Sequence, residues 1–362
     1  MSGLDGVIAA ETTLSDVDGE AGRLVIRGRS LDELVAHYRY EDVVTLLWTT
    51  LFPERESEGR LAEDLGAARV RVFEHVRTAG AQVLALPPAD ALRALVARLE
   101  DGTDIATALT LAAAPAVFTS AVIRAKRGLE AVPPDPGLSH AADMLRMLQG
   151  TVPDAVQAAA LDRYLVSASD HGLNASTFAA RVIASTHAGL TSAVVGALCA
   201  LKGPLHGGAP GPVLDMLDAI GQPREALPWL ATALARGQRL MGFGHRIYRV
   251  RDPRADAIKG GLENLARAGR LDAARLQLAE AVERAALELL SRHRPERPLQ
   301  TNLEFYTALL LEALGFPREA FTCVFAAGRA GGWIAHAREQ MLRGRLIRPL
   351  SRYVGPRCSE AA

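Results

Sequence analysis

Apolar residues recur every three to four positions along most of the chain, and strict apolar–polar alternation is almost absent. That period predicts helices over residues 40–52, 63–79, 89–99, 105–126 and 141–148, punctuated by Pro53, Pro87-Pro88 and Pro133-Pro134. Residues 131–137 (AVPPDPG) read as a stiff connector. Further helices are predicted over 177–186, 190–201, 212–220, 227–236, 255–268, 272–293, 304–314 and 321–342. Only the first thirty residues differ: 7–14 and 23–26 look extended and flank a turn-rich stretch with Asp18-Gly19, which predicts a small hairpin. Ser30-Leu31-Asp32-Glu33 then has the spacing of a capping box. The fold class is therefore all-α with a short N-terminal β-hairpin.

Two of the predicted helices, 177–186 and 190–201, are rich in Ala, Ser, Gly and Val. Small residues let helix backbones approach closely, so both are expected to be buried on most sides, with a subunit interface as one way to achieve that. The stretch 105–123 carries no charge, but it contains Pro115 and leads into Arg124, Lys126 and Arg127. A buried core helix is expected there, not a membrane span.

Charge and cysteine content narrow the function classes. The chain has 362 residues, 49% of them hydrophobic, which is enough to bury a large core or two. Lys plus Arg (41) equal Asp plus Glu (41), so no net basic field favours nucleic acid or an anionic membrane. Cys199, Cys323 and Cys358 are far apart, which argues against a disulfide scaffold or thiolate zinc site and suits a reducing compartment. Cys199 reads as inert core and Cys358 as exposed tail. The acidic N-terminus reads as neither signal nor transit peptide, so a cytoplasmic location is expected.

The chemistry clusters where glycine and proline interrupt the helices. His171 sits in DHGLNAS, His206 in GPLHGGA and His245 in GFGHRIY; His187 is a milder case, and His37, His75, His140, His293 and His336 look like surface or helix-face residues. A lone histidine is ordinarily just a hydrogen-bonded or solvated side chain. Flanking glycines shift that balance, because they let backbone come close to a ligand. His206, after Gly203-Pro204 and before the next helix, would feel the positive helix end, stay neutral and be able to donate to a developing enolate.

Arg246, Arg249, Arg251 and Lys259 follow His245. They read either as a solvated basic turn or as charge for phosphates, with Arg254 offering a fork for a carboxylate. Glu304, among the apolar residues of NLEFY, reads either as an ordinary acidic helix start or as a buried general base. Arg329 and Arg348 each lie near an apolar run.

Together GPLHGGAP (203–210), GFGHRIYRVRDPRA (242–255), DHGLNASTFAARVIAST (170–186), NLEFYTALLLEALGFP (302–317), RAGGWIAHAREQ with RLIRP (329–349) and the N-terminal GLDGVIAAETTLSDVDGEAGRLVIRG resemble the citrate synthase family, in order and over nearly the whole chain. The resemblance implies a large helical domain (1–207 with 316–362) and a smaller one (208–315) that closes over a cleft, in an obligatory homodimer. It implies that His206 polarises the thioester carbonyl of an acyl-coenzyme A and His245 the 2-oxo carbonyl of oxaloacetate. His171, Arg254, Arg329 and Arg348 would hold the substrate carboxylates, Arg348 from the other subunit. Gly242, Phe243, Gly244, Arg246, Arg249, Arg251 and Lys259 would lie along coenzyme A, which is a substrate; no permanent cofactor and no metal are implied.

The catalytic base is usually aspartate in this family, in a stretch like NVDFYS; here it would be Glu304. The implied reaction is condensation of acetyl-coenzyme A with oxaloacetate and water to citrate. 2-Methylcitrate synthesis from propionyl-coenzyme A is the alternative, since one methylene discriminates by only about 1–3 kcal/mol. A ligand-binding homologue without turnover, and a histidine metal site at His171, His206 and His245, are the further alternatives.

Overall fold

A three-stranded antiparallel sheet, Ser15–Asp18, Arg23–Ile26 and Arg29–Ser30, opens the structure, and every longer regular element among the described residues is helical. The computed structural model describes residues 4, 6–53, 61–207, 210–293, 295–296 and 299–355. The expected tail, with Cys358, and the expected domain boundary at Gly208 lie outside the described residues.

The turn forms where Asp18-Gly19 predicts it. Asp18 Oδ1 accepts the amides of Glu20 and Ala21 at 3.1 and 2.9 Å, and the strands pair from Asp18↔Arg23 to Ser15↔Ile26. The first strand starts later than expected. Residues 7–14 stay out of the sheet because Thr12 and Thr13 are drawn to the carboxylate of Glu339, the Thr12 hydroxyl donating at 2.7 Å and the Thr13 amide at 2.9 Å. The capping box is also half-built: Ser30 accepts the Glu33 amide at 3.2 Å, but the Glu33 carboxylate turns to Arg29.

Ile105–Lys126 is the central post, with every residue from Leu111 to Ile123 buried. Its alanines leave room for Leu61–Arg77, Pro88–Val96, His140–Gln149 and Phe321–Arg343 to pack around it. By length and composition it could cross a membrane, yet 78% of its apolar window is buried inside the protein.

Phe321–Arg343 is the second axis and carries Arg329. A Cβ at Gly332 would lie 2.3 Å from the Ser169 carbonyl oxygen, so only glycine lets the segment leading to His171 come this close. That segment ends the helix Ala155–Ala168, which the periodicity reading missed although Asp154 and Gln157 form a complete capping box (2.8 and 3.3 Å). Among the later helices, Ala226–Ala235 and Pro210–Ile220 contact Ala273–His293, and Pro210–Ile220 also packs on Leu303–Ala313. Pro253–Arg267 lies along both Leu303–Ala313 and Ala155–Ala168, joining this group to the rest.

Three placements correct the sequence reading. His140 and His336 are fully buried, because their helices are enclosed on the faces that carry them. Cys199 is exposed, because it lies on the outward side of Leu190–Leu201. That helix packs tightly on Ala175–Ala184, but Phe178, Val182 and Val195 remain partly accessible, so burial on most sides holds for one face only within the single chain.

Candidate active site

The GFGH loop and the start of the Glu304 helix are built as one unit. The Gly244 amide donates to the Gln300 carbonyl at 2.7 Å, the Asn302 amide to the Gly242 carbonyl at 3.0 Å, and Asn302 Nδ2 to the Gly244 carbonyl at 2.9 Å. Gly242 and Gly244 sit at φ of 85° and 88°, and a Cβ at Gly242 would come within 2.7 Å of the Phe305 ring. Only glycine satisfies both conditions at Gly242. Positions remote in sequence, His245 and Glu304, are thereby brought to the two sides of one backbone junction.

Asp252 reinforces that junction. Fully buried, it receives Arg254 in a two-pronged contact, Nε to Oδ1 at 3.0 Å and Nη2 to Oδ2 at 2.7 Å. Its Oδ2 also accepts the Leu303 amide at 3.2 Å, at the start of the Glu304 helix. Burial alone would raise the Asp252 pKa, but Arg254 outweighs it and the pKa is lowered. Asp252 therefore stays ionised and holds Arg254 charged.

His245 is pinned in one tautomer. The amides of Ile247 and Tyr248 donate to its Nδ1 at 3.0 and 3.1 Å; these two shorter contacts outweigh Arg254 Nη2, 3.4 Å from Nε2, and assign the single proton of the neutral ring to Nε2. Burial, then Arg254, lowers its pKa to about 4. His171 stands edge-on to it, with ring centroids 5.4 Å apart, and burial, then Arg254, holds its pKa well below the ordinary value. Tyr248 bridges the pair. Its hydroxyl lies 3.2 Å from His171 Nε2, and its ring centroid lies 4.8 Å from that of His245.

Arg329 and Glu304 complete this side. Arg329 is buried, stacks on Phe325 and donates Nε to the Ala168 carbonyl at 2.5 Å. No carboxylate among the described residues lies within ion-pair distance, and burial lowers its pKa to about 10. Glu304 lies in the first turn of Leu303–Ala313, where a helix end would lower its pKa. The opposite prevails: burial raises it, with Arg254 only partly opposing. Its side chain retains some exposure, although it is densely surrounded.

His206 approaches from a third element. Its Nε2 lies 2.8 Å from Ser176 Oγ, whose hydroxyl also lies 2.8 Å from Asn174 Oδ1 and accepts Trp333 Nε1 at 3.1 Å. Burial, then Arg329, lowers the His206 pKa to about 4. The ring is neutral, as the sequence reading expects, but for a different reason: it follows the end of Leu190–Leu201, and the next helix starts only at Pro210.

The structure thus gathers His171, His206, His245, Arg254, Arg329 and Glu304 around the fields of two buried arginines. It does not bring in Arg348, which is exposed. Arg251 is committed to Glu283 and Asp256, each at 2.6 Å, and Lys259 to Glu280 at 3.1 Å, while Arg249 is exposed, 3.8 Å from Glu20. Arg246 is exposed as well. Tyr248, Asp252, Ser176 and Asn174 went without a role in the sequence reading, although each stands inside a quoted motif. Among the described residues, no group of three His, Cys, Asp or Glu side chains is arranged to hold a metal.

The lowered imidazole pKa values have a consequence for stability. Unfolded histidine takes a proton near pH 6.5, whereas folded His206 and His245 resist until about pH 4. Stability contributed by these groups is present above pH 6.5 and is lost as pH falls toward 4. A series of thermal melts should therefore show Tm falling over this window, and His245→Gln should shallow the slope.

Comparison with known proteins places the chain in a family. The family model described as "Citrate synthase, C-terminal domain" matches residues 3–350. The chain is 39% identical to a citrate synthase of Haloferax volcanii, over 98% of this chain and 95% of that one. It is 36% identical to a 2-methylcitrate synthase of Mycobacterium tuberculosis, over 98% and 90%. Among solved structures it is similar to citrate synthase from Thermotoga maritima (TM-score 0.84, 32% identity, 99% and 97% covered). It is also similar to the Thermoplasma acidophilum citrate synthase in ternary complex with carboxymethyl coenzyme A and oxaloacetate (TM-score 0.85, 28% identity, 99% and 97% covered). With the family model spanning nearly its full length and these relatives matching end to end, the chain belongs to the citrate synthase family and is an acyltransferase of that type.

Proposed function

We propose that this chain condenses acetyl-coenzyme A with oxaloacetate and water to give citrate and coenzyme A. The observation that carries the reading is a carboxyl group with a raised pKa, Glu304, set near two buried arginines and supported by neutral imidazoles. Removing a proton next to a thioester needs a base on one side and a neutral donor at the enolate oxygen. Glu304 takes the proton. His206 supplies the donor: the Ser176 hydroxyl, which donates to Asn174 Oδ1 at 2.8 Å, turns to His206 Nε2, also 2.8 Å away. That leaves the ring proton on Nδ1, for the enolate.

The enolate carbon then attacks the 2-oxo carbon, and the Nε2 proton of His245 stabilises the alkoxide that forms. Arg254, Arg329 and His171 hold the carboxylates of the dianion. Water admitted afterwards cleaves the citryl thioester and releases the thiol. Because water must first be excluded, closure of residues 208–315 over the remainder is part of the proposal. Coenzyme A phosphates are assigned to Arg246 and Arg249, which are exposed; Arg251 and Lys259 would have to leave carboxylate partners to serve there.

A homodimer is part of the same reading. Leu346, Leu350, Tyr353 and Val354 are more than half exposed in the segment that carries Arg348. Together with the accessible face of Ala175–Ala184 and Leu190–Leu201, they fit burial against a second copy that receives Arg348 in its site. The bacterial and archaeal relatives support a soluble protein of the cytoplasm.

The test is thiol release on mixing with oxaloacetate and either acetyl- or propionyl-coenzyme A. A higher kcat/KM for acetyl-coenzyme A is the expected result. A preference for the propionyl thioester would reassign the chain to 2-methylcitrate synthesis, the activity named for one relative, and release with neither would refute the enzyme reading.

A further inference from the structure

The N-terminal hairpin touches both loops that carry the substrate-facing imidazoles, at opposite ends of a single strand. At the start of Ser15–Asp18, the Ser15 hydroxyl donates to the buried carboxylate of Asp170 and accepts the Gly172 amide at 3.1 Å. These two residues flank His171. Burial alone would raise the Asp170 pKa, but His336 and other partners outweigh it, so the acceptor stays ionised. On the same strand, Val17 packs against the Gly172 backbone, within 3.4 Å of where a Cβ would stand.

At the other end, the Gly19 carbonyl accepts the Arg249 amide at 2.9 Å. A Cβ on Gly19 would lie 2.4 Å from the Ile247 carbonyl oxygen, a contact with rigid backbone that only glycine permits. Ile247 is the residue whose amide anchors His245 Nδ1 at 3.0 Å. Behind the turn, a Cβ on Gly22 would lie 2.7 Å from a side-chain methyl of Val250. The base of the hairpin is fastened to the helical body, with Arg27 donating to the Leu47 carbonyl at 3.2 Å and to the Thr49 carbonyl.

We propose that Ser15 and the Gly19 turn are positioning residues for the 2-oxo acid: the strand between them, about 13 Å for four residues, sets the separation and mutual orientation of His171 and His245. This inference rests on the reading of those two imidazoles as the oxaloacetate grip. Neither Ser15 nor Gly19 touches the substrate. Each holds the backbone of a loop whose imidazole does.

The experiment uses the full-length protein and two readouts, oxaloacetate binding by calorimetry and steady-state thiol release. Ser15→Ala and Gly19→Ala should each raise the Kd and KM for oxaloacetate about tenfold, the scale of one lost hydrogen bond to a charged group. The KM for the acyl thioester should stay within about twofold at saturating oxaloacetate. Ser15→Thr keeps the hydroxyl and should restore binding. A purely structural role would lower Tm and the active fraction while leaving Kd unchanged. Folded variants of both kinds that bind oxaloacetate like the wild type would overturn the strap. Wild-type protein that does not bind oxaloacetate would overturn the site assignment itself, and the strap with it.

Discussion

Glu304→Gln lowers kcat for thiol release about a thousandfold, the middle of the range for a positioned general base, while oxaloacetate binding changes little. Glutamine keeps the shape of the side chain but cannot accept the proton. The environment justifies the expectation. Burial raises the Glu304 pKa, which makes its carboxylate a stronger base than an exposed one. The acid limb of kcat/KM should therefore lie above the ordinary carboxylate value of about 4.3. Activity falls as pH drops through that limb, because the protonated acid cannot take the substrate proton. His206 and His245 charge only near pH 4, so they add to the loss at the acid extreme and do not set the midpoint. Glu304→Asp withdraws the carboxylate by about one methylene, and a displacement near 1 Å costs about a hundredfold. The order glutamate, aspartate, glutamine in rate is the signature sought in single-turnover kinetics. Full activity in the glutamine variant would remove Glu304 from the mechanism.

The second large effect concerns Arg329. A buried guanidinium with no carboxylate in ion-pair contact among the described residues is costly, because a carbonyl, an aromatic face and the more distant charges of Asp170 and Glu304 repay only part of its desolvation. An arriving dianion supplies the missing charge. Arg329→Met should therefore weaken oxaloacetate binding by about a hundredfold or more, the 3–5 kcal/mol range of a broken buried pair. It should leave the Tm of the ligand-free protein unchanged or higher. In the wild type, saturating oxaloacetate should raise Tm by mass action, and in the variant that rise should vanish. Differential scanning calorimetry with and without oxaloacetate reads both quantities. A ligand-free Tm that drops sharply in the variant would mean that Arg329 serves the fold and not the substrate.

Much of the architecture was readable because helix punctuation is local chemistry. The prediction of helices at 105–126 and 190–201 matches the observed bounds, since Asp104 caps the first and Gly203-Pro204 follows the second. Ala155–Ala168 escaped because alanine occupies exposed positions (Ala155, Ala159) as well as buried ones (Ala160, Ala168), which blurs the apolar period; its Asp154–Gln157 box was the surviving signal. The hairpin was placed at its turn but extended too far back, since nothing local announces that Thr12 and Thr13 will bond to Glu339. The same limit explains His140, His336 and Cys199: periodicity assigns a residue to a helix face, but only tertiary packing decides what covers that face. In the site, residues beside glycine were found because glycine marks close approach. Tyr248 and Asp252 were not given roles, since their importance lies in partners that the chain brings from elsewhere.

Asp252 has one further consequence. A single carboxylate grips the side chain of Arg254 and the first amide of the helix bearing Glu304. In the proposed mechanism, substrate recognition and proton abstraction therefore share one mechanical fixture, and neither can drift without dragging the other. Anyone reshaping this catalyst toward bulkier acyl donors should treat positions 252, 254 and 304 as an indivisible block.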